Sequence, residues 1–114
     1  MTIWERVYAA LSGLGVPLAE SVYVPASGED WPDEYIVFLL VVGTPVQHGD
    51  DQEQGREQRV QVTTWKRNGL LGMANTHAAM LAAGFTLVEE RELPYSRDTG
   101  HYGLSRDYNW YEDI

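Results

Sequence analysis

The stretch YIVFLLVV, residues 35–42, decides the fold of this chain, since it is apolar at almost every position and rich in β-branched and aromatic residues. Such a run is typical of a β-strand that is covered on both faces or buried at a subunit contact. Residues 57–66, EQRVQVTTWK, follow, and there Val60, Val62 and Thr64 alternate with their neighbours. This alternation predicts a second strand, and we expect the two strands to pair as a hairpin.

A long polar segment, residues 43–56 (GTPVQHGDDQEQGR), separates the two predicted strands. A connection of this length within a compact domain is either functional or mobile. Its Gly, Pro, Gln and acidic residues bury little apolar surface to offset the entropy of ordering the chain. We therefore expect a long hairpin tip that is mobile in the free subunit.

A helix is predicted near the start of the chain. Thr2 and Glu5 have the spacing of a capping box. The apolar residues at helical spacing after them are Ile3, Val7, Ala10, Leu11 and Leu14. Gly15 and Pro17 are expected to end this helix. Residues 21–24 (SVYV) are compatible with a short extended piece.

A second helix is predicted from Asn68 or Gly69 to a stop at Gly84. Its apolar stripe consists of Leu70, Leu71, Ala74, Ala78 and Leu81. Residues 85–93 and 102–112 then indicate a third and a fourth strand.

The resulting order is α-β-β-α-β-β. Hairpins and short joins favour a mainly antiparallel four-stranded sheet with two helices packed on one side. At 114 residues the chain has room for one hydrophobic core. We therefore predict one α+β domain that spans residues 1–114.

The composition excludes several classes of protein. With 17 acidic and 8 basic residues the formal net charge is -9, and this argues against bound nucleic acid or anionic lipid, which require concentrated Lys and Arg. The chain has no cysteine, so disulfides and thiolate metal sites are excluded. The longest apolar run is far shorter than the ~20 residues of a membrane helix. We expect a soluble protein made in a cytoplasm.

Asp98-Thr99-Gly100 is the D-T-G triplet of aspartic proteases, in which two copies share a proton between their carboxylates. In a protease the triplet ends a buried apolar strand, whereas here it lies between Arg97 and His101. Asp, Thr and Gly are also common turn residues, and this setting favours a polar hairpin turn.

His48, Asp50, Asp51 and Glu53 are close enough in sequence to suggest a site for a hard cation. Their spacing matches no calcium loop, and a solvated acidic loop explains them better. His77 lies in the middle of the second predicted helix, where a satisfied or semi-exposed histidine is more common than a catalytic base. We therefore predict no catalytic residues, no metal and no cofactor, and hence no enzyme.

The aromatic residues point to contacts with other proteins, because Trp and Tyr are enriched at interfaces. A role in the core competes with this interpretation. In the last strand Tyr102, Leu104, Tyr108 and Trp110 share one face, which is mostly core, and Tyr111 falls outside the pattern.

Three features together resemble the tail terminator or tail completion proteins of long-tailed bacteriophages. The first is RVQV at residues 59–62, which leads to Trp65, and the second is a helix that ends in LAAGF at residues 81–85. The third is Asp98-Thr99-Gly100 followed by Tyr102 and an aromatic-rich last strand. The resemblance spans approximately residues 35–112.

This resemblance implies a structural virion subunit at the head-tail junction. Such a subunit forms a ring, typically of six copies, that caps the tail tube and connects it to the neck, where a stopper protein completes the head. DNA passes through the ring without being held, and an acidic wall would let the duplex slide. The virion and, during assembly, the host cytoplasm are its expected locations. The residues predicted to bind partners are Asp50, Asp51, Glu53, Trp65 and Tyr111.

A small regulatory or ligand-binding α+β module that oligomerises is the alternative. It would carry a pocket of convergent polar groups, whereas a ring subunit would associate without a ligand.

Overall fold

The computed structural model describes residues 2–49 and 52–113, with side chains described at residues 2–41 and 58–110. The elements are α1 (Ile3–Leu11), a 3₁₀ turn (Ser12–Leu14), β1 (Leu18–Glu20), β2 (Glu34–Gly49), β3 (Gln52–Arg67), α2 (Thr76–Ala82), β4 (Thr86–Ser96) and β5 (His101–Asp113). The predicted α+β class is confirmed.

The five strands form one mixed sheet in the order β1-β2-β3-β5-β4. β1 and β2 are parallel, and the other three neighbouring pairs are antiparallel. The predicted four-stranded sheet and its order α-β-β-α-β-β are therefore wrong by one strand. The additional strand, β1, has only three residues, which are too few to show a period in the sequence.

β1 ends just before residues 21–24, where a short extended piece was expected. Ser21 has a φ angle of 66°, in the left-handed region that interrupts a strand. Its N–H donates to the carbonyl oxygen of Phe38 at 2.8 Å, while its hydroxyl contacts the carboxylate of Glu20. The chain therefore turns out of the sheet directly after Glu20.

β2 and β3 pair far beyond the helices and form a long ribbon. Their pairing reaches Gly49 opposite Gln52, and β5 pairs with β3 through most of this length. The prediction of a long connection is therefore wrong for residues 43–49 and 52–56, which lie in strands. Residues 50–51 lie outside the described part of the chain. β3 pairs with β2 on one side and β5 on the other, and this pairing satisfies its backbone hydrogen bonds. The polar residues of the ribbon therefore form strands although their sequence shows no apolar alternation.

α1 begins and ends as predicted. The Thr2 N–H donates to Glu5 Oε1 at 2.8 Å and the Glu5 N–H donates to Thr2 Oγ1 at 3.2 Å, which completes the capping box. The buried residues of this helix are Ile3, Val7 and Leu11. Gly15, with a φ angle of 74°, follows the 3₁₀ turn and stops the helical chain.

α2 is half as long as predicted. Asn68, Gly69 and Gly72 all have positive φ angles, which an α-helix does not accommodate. The helix instead begins after Asn75, whose side chain accepts a hydrogen bond from the Ala78 N–H at 3.1 Å.

The apolar stripe predicted for α2 is wrong, because Leu71, Ala78 and Leu81 are all exposed. Leu71 is 94% exposed, and the residues that α2 buries are Thr76 and Met80. Gly84 ends the helix as predicted, with a φ angle of 98°.

Both helices pack on one face of the sheet, as predicted, and we call it the helix face. The buried cluster between the helices and the sheet consists of Ile3, Val7, Leu11, Ile36, Phe38, Val60, Val62, Met80, Phe85 and Tyr108. Side chains at alternate positions of β2, β3 and β5 supply the sheet's share of this core.

The two C-terminal strands are both present and slightly longer than predicted. On the helix face of β5, Tyr108 is fully buried, whereas Tyr102 is 40% exposed. The molecule measures 54 × 27 × 24 Å. Its long dimension matches a strand of 16 residues such as β2, at roughly 3.3 Å per residue.

Candidate interaction surface

The sheet face opposite α1 and α2, here called the open face, is covered by neither helix. Its residues follow from the strand register, because residues that pair directly across two strands point to the same face. On β2, β3 and β5 they are Tyr35, Val37, Leu39, Gln61, Thr63, Trp65, Gly103, Ser105 and Asp107.

The chain between β1 and β2, residues 21–33, lays two aromatic rings over one end of the open face. The ring of Tyr23 stacks on that of Tyr35 at a centroid distance of 5.0 Å, and Trp31 lies 5.4 Å from Tyr35. His101 meets Tyr35 edge-on at 5.1 Å. Tyr35 is only 7% exposed, and this burial raises the pKa of its hydroxyl.

Two side chains at the ends of β3 and β5 fix this crossing segment to the sheet. Arg67 donates from Nε to the carbonyl oxygen of Thr99 at 3.0 Å and from Nη1 to that of Trp31 at 3.1 Å. His101 Nε2 donates to the carbonyl oxygen of Pro32 at 2.7 Å. Charged and buried donors of this kind hold a loop firmly, because leaving them unpaired is costly.

A central groove of about 370 Å³ runs along the open face beside this aromatic cluster. Its lining residues are Ser21, Val22, Tyr23, Trp31, Tyr35, Val37, Leu39, Gln61, Thr63, Trp65 and Leu93. None of these side chains carries a charge, although the whole chain has 17 acidic and 8 basic residues. The core of a protein-protein interface shows the same depletion of charge and the same enrichment in Tyr and Trp.

A second hollow of about 390 Å³ continues from the central groove towards the turn between β4 and β5. Its polar end is formed by Ser96, Asp98 and Thr99. The Gly100 N–H donates to the Ser96 carbonyl oxygen at 2.8 Å, and Gly100 has a φ angle of 80°. Asp98-Thr99-Gly100 is therefore a hairpin turn, with an exposed Asp98.

A part-buried ion pair lies on the open face near the middle of β3 and β5. Arg59 donates from Nη2 and Nε to the same carboxylate oxygen of Asp107, at 2.7 and 3.1 Å. This hydrogen bonding raises the pKa of the Arg59 guanidinium. Asp107 is 4% exposed, whereas Glu89, the second partner of Arg59 at 3.1 Å, is largely in solvent.

A second apolar patch lies on the outer side of α1. Trp4 is 43% and Tyr8 57% exposed, and with Ala9 and Phe38 they line a cleft of about 450 Å³ that we call the α1 cleft. Its one charged lining residue is Glu5, whose carboxylate is held by the Thr2 N–H. Since Phe38 points to the helix face, the α1 cleft and the central groove lie on opposite faces of the sheet.

The side chains of the candidate metal ligands His48, Asp50, Asp51 and Glu53 lie outside the described part of the chain. Among the side chains described at residues 2–41 and 58–110, no three metal-ligating groups come together. His48 and Glu53 pair in the β2-β3 ladder. His77 Nδ1 and the Tyr108 hydroxyl share a hydrogen bond of 2.9 Å, and burial raises the pKa of Tyr108 to about 12.

The residues predicted to bind partners do not form one patch. Trp65 lines the central groove, whereas Tyr111 pairs with Glu57 much further along β3. Positions 57 and 65 are about 26 Å apart at roughly 3.3 Å per residue. Glu53 lies further still towards the tip of the ribbon, and Asp50 and Asp51 lie outside the described residues. The role of Asp50, Asp51, Glu53 and Tyr111 in partner binding therefore stays a prediction.

Trp4, Tyr8 and Tyr35 belong to the aromatic residues that the sequence suggested for protein contacts, although none of them was predicted as a partner-binding residue. Tyr23 was missed. One signal for the groove was available, because the run at residues 35–42 is apolar on both faces while only one face can meet the helices. The i, i+4 pair Trp4 and Tyr8, outside the apolar stripe of α1, was the corresponding signal for the cleft.

No protein-family model matches this sequence, and a comparison with curated proteins gives no significant match. None of the described helices is long and apolar enough to cross a membrane.

Proposed function

We propose that this chain is a tail terminator protein of a long-tailed bacteriophage, a virion subunit that forms a ring at the end of the tail tube. The central groove carries this proposal. An uncharged groove lined by Tyr, Trp and aliphatic side chains, on a sheet face without a covering helix, is surface that proteins bury against a partner.

The two apolar patches also suit a ring. A ring of identical subunits needs two different surfaces on each subunit, since each copy contacts its neighbours head to tail. The central groove and the α1 cleft are two such surfaces on opposite faces of the sheet. The resemblance to tail terminators implies a ring that is typically of six copies.

The ribbon of β2, β3 and β5 gives the subunit a long arm. We assign this arm to contacts with the tail tube protein, with a neighbouring subunit or with the stopper protein of the neck. The acidic balance of the chain, with a net charge of -9, suits a channel through which DNA passes, because negative walls repel phosphates.

A test uses the tail tube protein of the phage that carries this sequence. The two proteins are expressed together, and the tubes are measured by negative-stain electron microscopy. We expect tubes of limited length with a ring at one end, whereas the tube protein alone should give longer tubes with open ends. Tubes of unchanged length and without rings would contradict the proposal.

A further inference from the structure

The two apolar patches differ from the rest of the surface in charge. The central groove has no charged lining residue and the α1 cleft has one, Glu5, which belongs to the capping box. Two copies of a chain with a net charge of -9 repel each other over most of their surfaces. Contact between copies is therefore most favourable where little charge is presented, and these two patches have one charged lining residue between them.

The occupant of the groove follows from the same absence of charge. A basic partner would gain its affinity from carboxylates in the groove, and an acidic partner from Lys or Arg, but the lining has neither. An uncharged aromatic surface fits the groove instead. The chain itself presents such a surface at Trp4 and Tyr8, which are 43% and 57% exposed.

The shapes of the two patches are also complementary. Val22, at the rim of the central groove, is 66% exposed, and Val24 beside it is 74% exposed. These aliphatic side chains project from the crossing segment, which Arg67 and His101 hold in place. The α1 cleft between Trp4 and Tyr8 is a hollow with an apolar floor, and it can receive such a projection.

We propose that the occupant of the central groove is a second copy of this chain. Trp4 and Tyr8 of one copy enter the groove of the next, while Val22 of that next copy enters the α1 cleft. Because the patches lie on opposite faces, the contact is head to tail and repeats from copy to copy. This inference rests on the proposed ring and names the surfaces that build it.

Two exposed positions provide the test, Val22→Glu for the groove side and Tyr8→Glu for the cleft side. Each substitution leaves the buried core untouched, and circular dichroism checks that each variant is folded. We expect wild-type protein to oligomerise, as measured by native mass spectrometry at up to about 1 mM, a concentration that detects even weak association. Each variant alone should remain monomeric, with self-association weakened at least about tenfold.

Mixing the variants gives the decisive result. The Tyr8→Glu copy retains its groove side and the Val22→Glu copy retains its α1 cleft, so one good contact can form between them. We expect a one-to-one heterodimer that grows no further. Leu71→Glu, at a residue that is 94% exposed and lies in neither patch, should oligomerise like the wild type.

Three outcomes would overturn this contact: a monomeric wild type at the highest concentration, variants that assemble normally, or a variant mixture that stays monomeric. The tube experiment separates this inference from the proposed function. If Val22→Glu protein still forms rings on tubes, the ring uses other surfaces and the proposed function stands. If wild-type protein forms none, the proposed function itself fails.

Discussion

The indole ring of Trp65 lies against Gly103 of the neighbouring strand so closely that a methyl group at position 103 would be 2.6 Å from Trp65 Cζ3. The two residues pair directly across β3 and β5 on the open face. Because Gly103 has no side chain, the indole ring packs directly against its backbone and covers it. Trp65 is therefore part of the folded monomer as well as of the central groove.

Gly103→Ala should destabilise the protein by about 1–3 kcal/mol, the usual cost of overpacking. The cause is steric alone, since Gly103 has no positive φ angle. Urea denaturation measures the change in free energy of unfolding. Gly13→Ala is the matched control, because a methyl group there meets no atom within 4 Å. If the loss at Gly103 persists undiminished in a Trp65→Leu background, the indole is not its cause.

The contact with Gly103 gives Trp65 a role in the fold besides its predicted role in partner binding. Because the indole is half-buried on β3, Trp65→Glu should lower the stability of the monomer too. Val22, at the exposed rim of the same groove, separates assembly from folding more cleanly.

Arg59→Met should destabilise the protein, because the buried carboxylate of Asp107 then loses its charged hydrogen-bond partner. Glu89→Gln removes the other ion pair of Arg59, which is exposed, and should change the stability by less than about 1 kcal/mol. Thermal and urea unfolding of both variants measure this difference. Equal losses for the two substitutions would show that the burial of Asp107 does not matter.

The stability of the protein should fall between about pH 10 and pH 12 in a way that depends on Tyr108. Tyrosine in the unfolded chain loses its proton near pH 10, whereas burial raises the pKa of Tyr108 to about 12 in the folded protein. The folded state thus retains a proton that the unfolded state has lost, so the free energy of unfolding falls as pH rises. The maximum slope is about 1.4 kcal/mol per pH unit.

Tyr108→Phe should remove this alkaline loss. At neutral pH the variant should be about 1 kcal/mol less stable, since it lacks the hydrogen bond to His77. Tyr102→Phe, at a residue that is 40% exposed, is the control. Parallel stability curves for Tyr108→Phe and the wild type from pH 9 to about 12 would contradict the assignment.

Some of the fold could be predicted from sequence because its signals are local. The capping box of Thr2 and Glu5, the stop at Gly84 and the alternation around Val62 each depend on residues a few positions apart. β1 has no such signal, and the run at residues 35–42 signals only the strand at the floor of the central groove. Tyr23 and Trp31 reach the open face only because the chain turns at Ser21. Their contacts there, such as that of Tyr23 with Tyr35, join residues that are distant in sequence.

The acidic residues Asp50, Asp51 and Glu53 should contribute to docking. If Asp50, Asp51 and Glu53 pair with a basic partner surface, replacing them by Asn, Asn and Gln should weaken binding to tubes and reduce its dependence on salt. If they face the lumen, binding should survive while DNA passage is impaired. Cosedimentation with tubes at two salt concentrations, together with a DNA ejection assay, distinguishes the two. A triple variant that is normal in both assays would show that these three residues contribute neither to docking nor to DNA passage.

Tyr111→Glu tests the middle of the ribbon in the same assays. Tyr111 lies opposite Glu57 on β3, far from the central groove. If the ribbon is an assembly arm, this charge should reduce tube binding while the free energy of unfolding of the monomer stays within about 1 kcal/mol of the wild type. Normal binding would confine the interaction surface to the groove and the α1 cleft.

Cryo-electron microscopy of tubes assembled with this protein would show the ring itself. We expect a closed ring of identical subunits at one end of each tube, with Trp4 and Tyr8 of each subunit seated in the central groove of the next. Tube ends without added density, or single subunits scattered along the tube wall, would contradict this expectation.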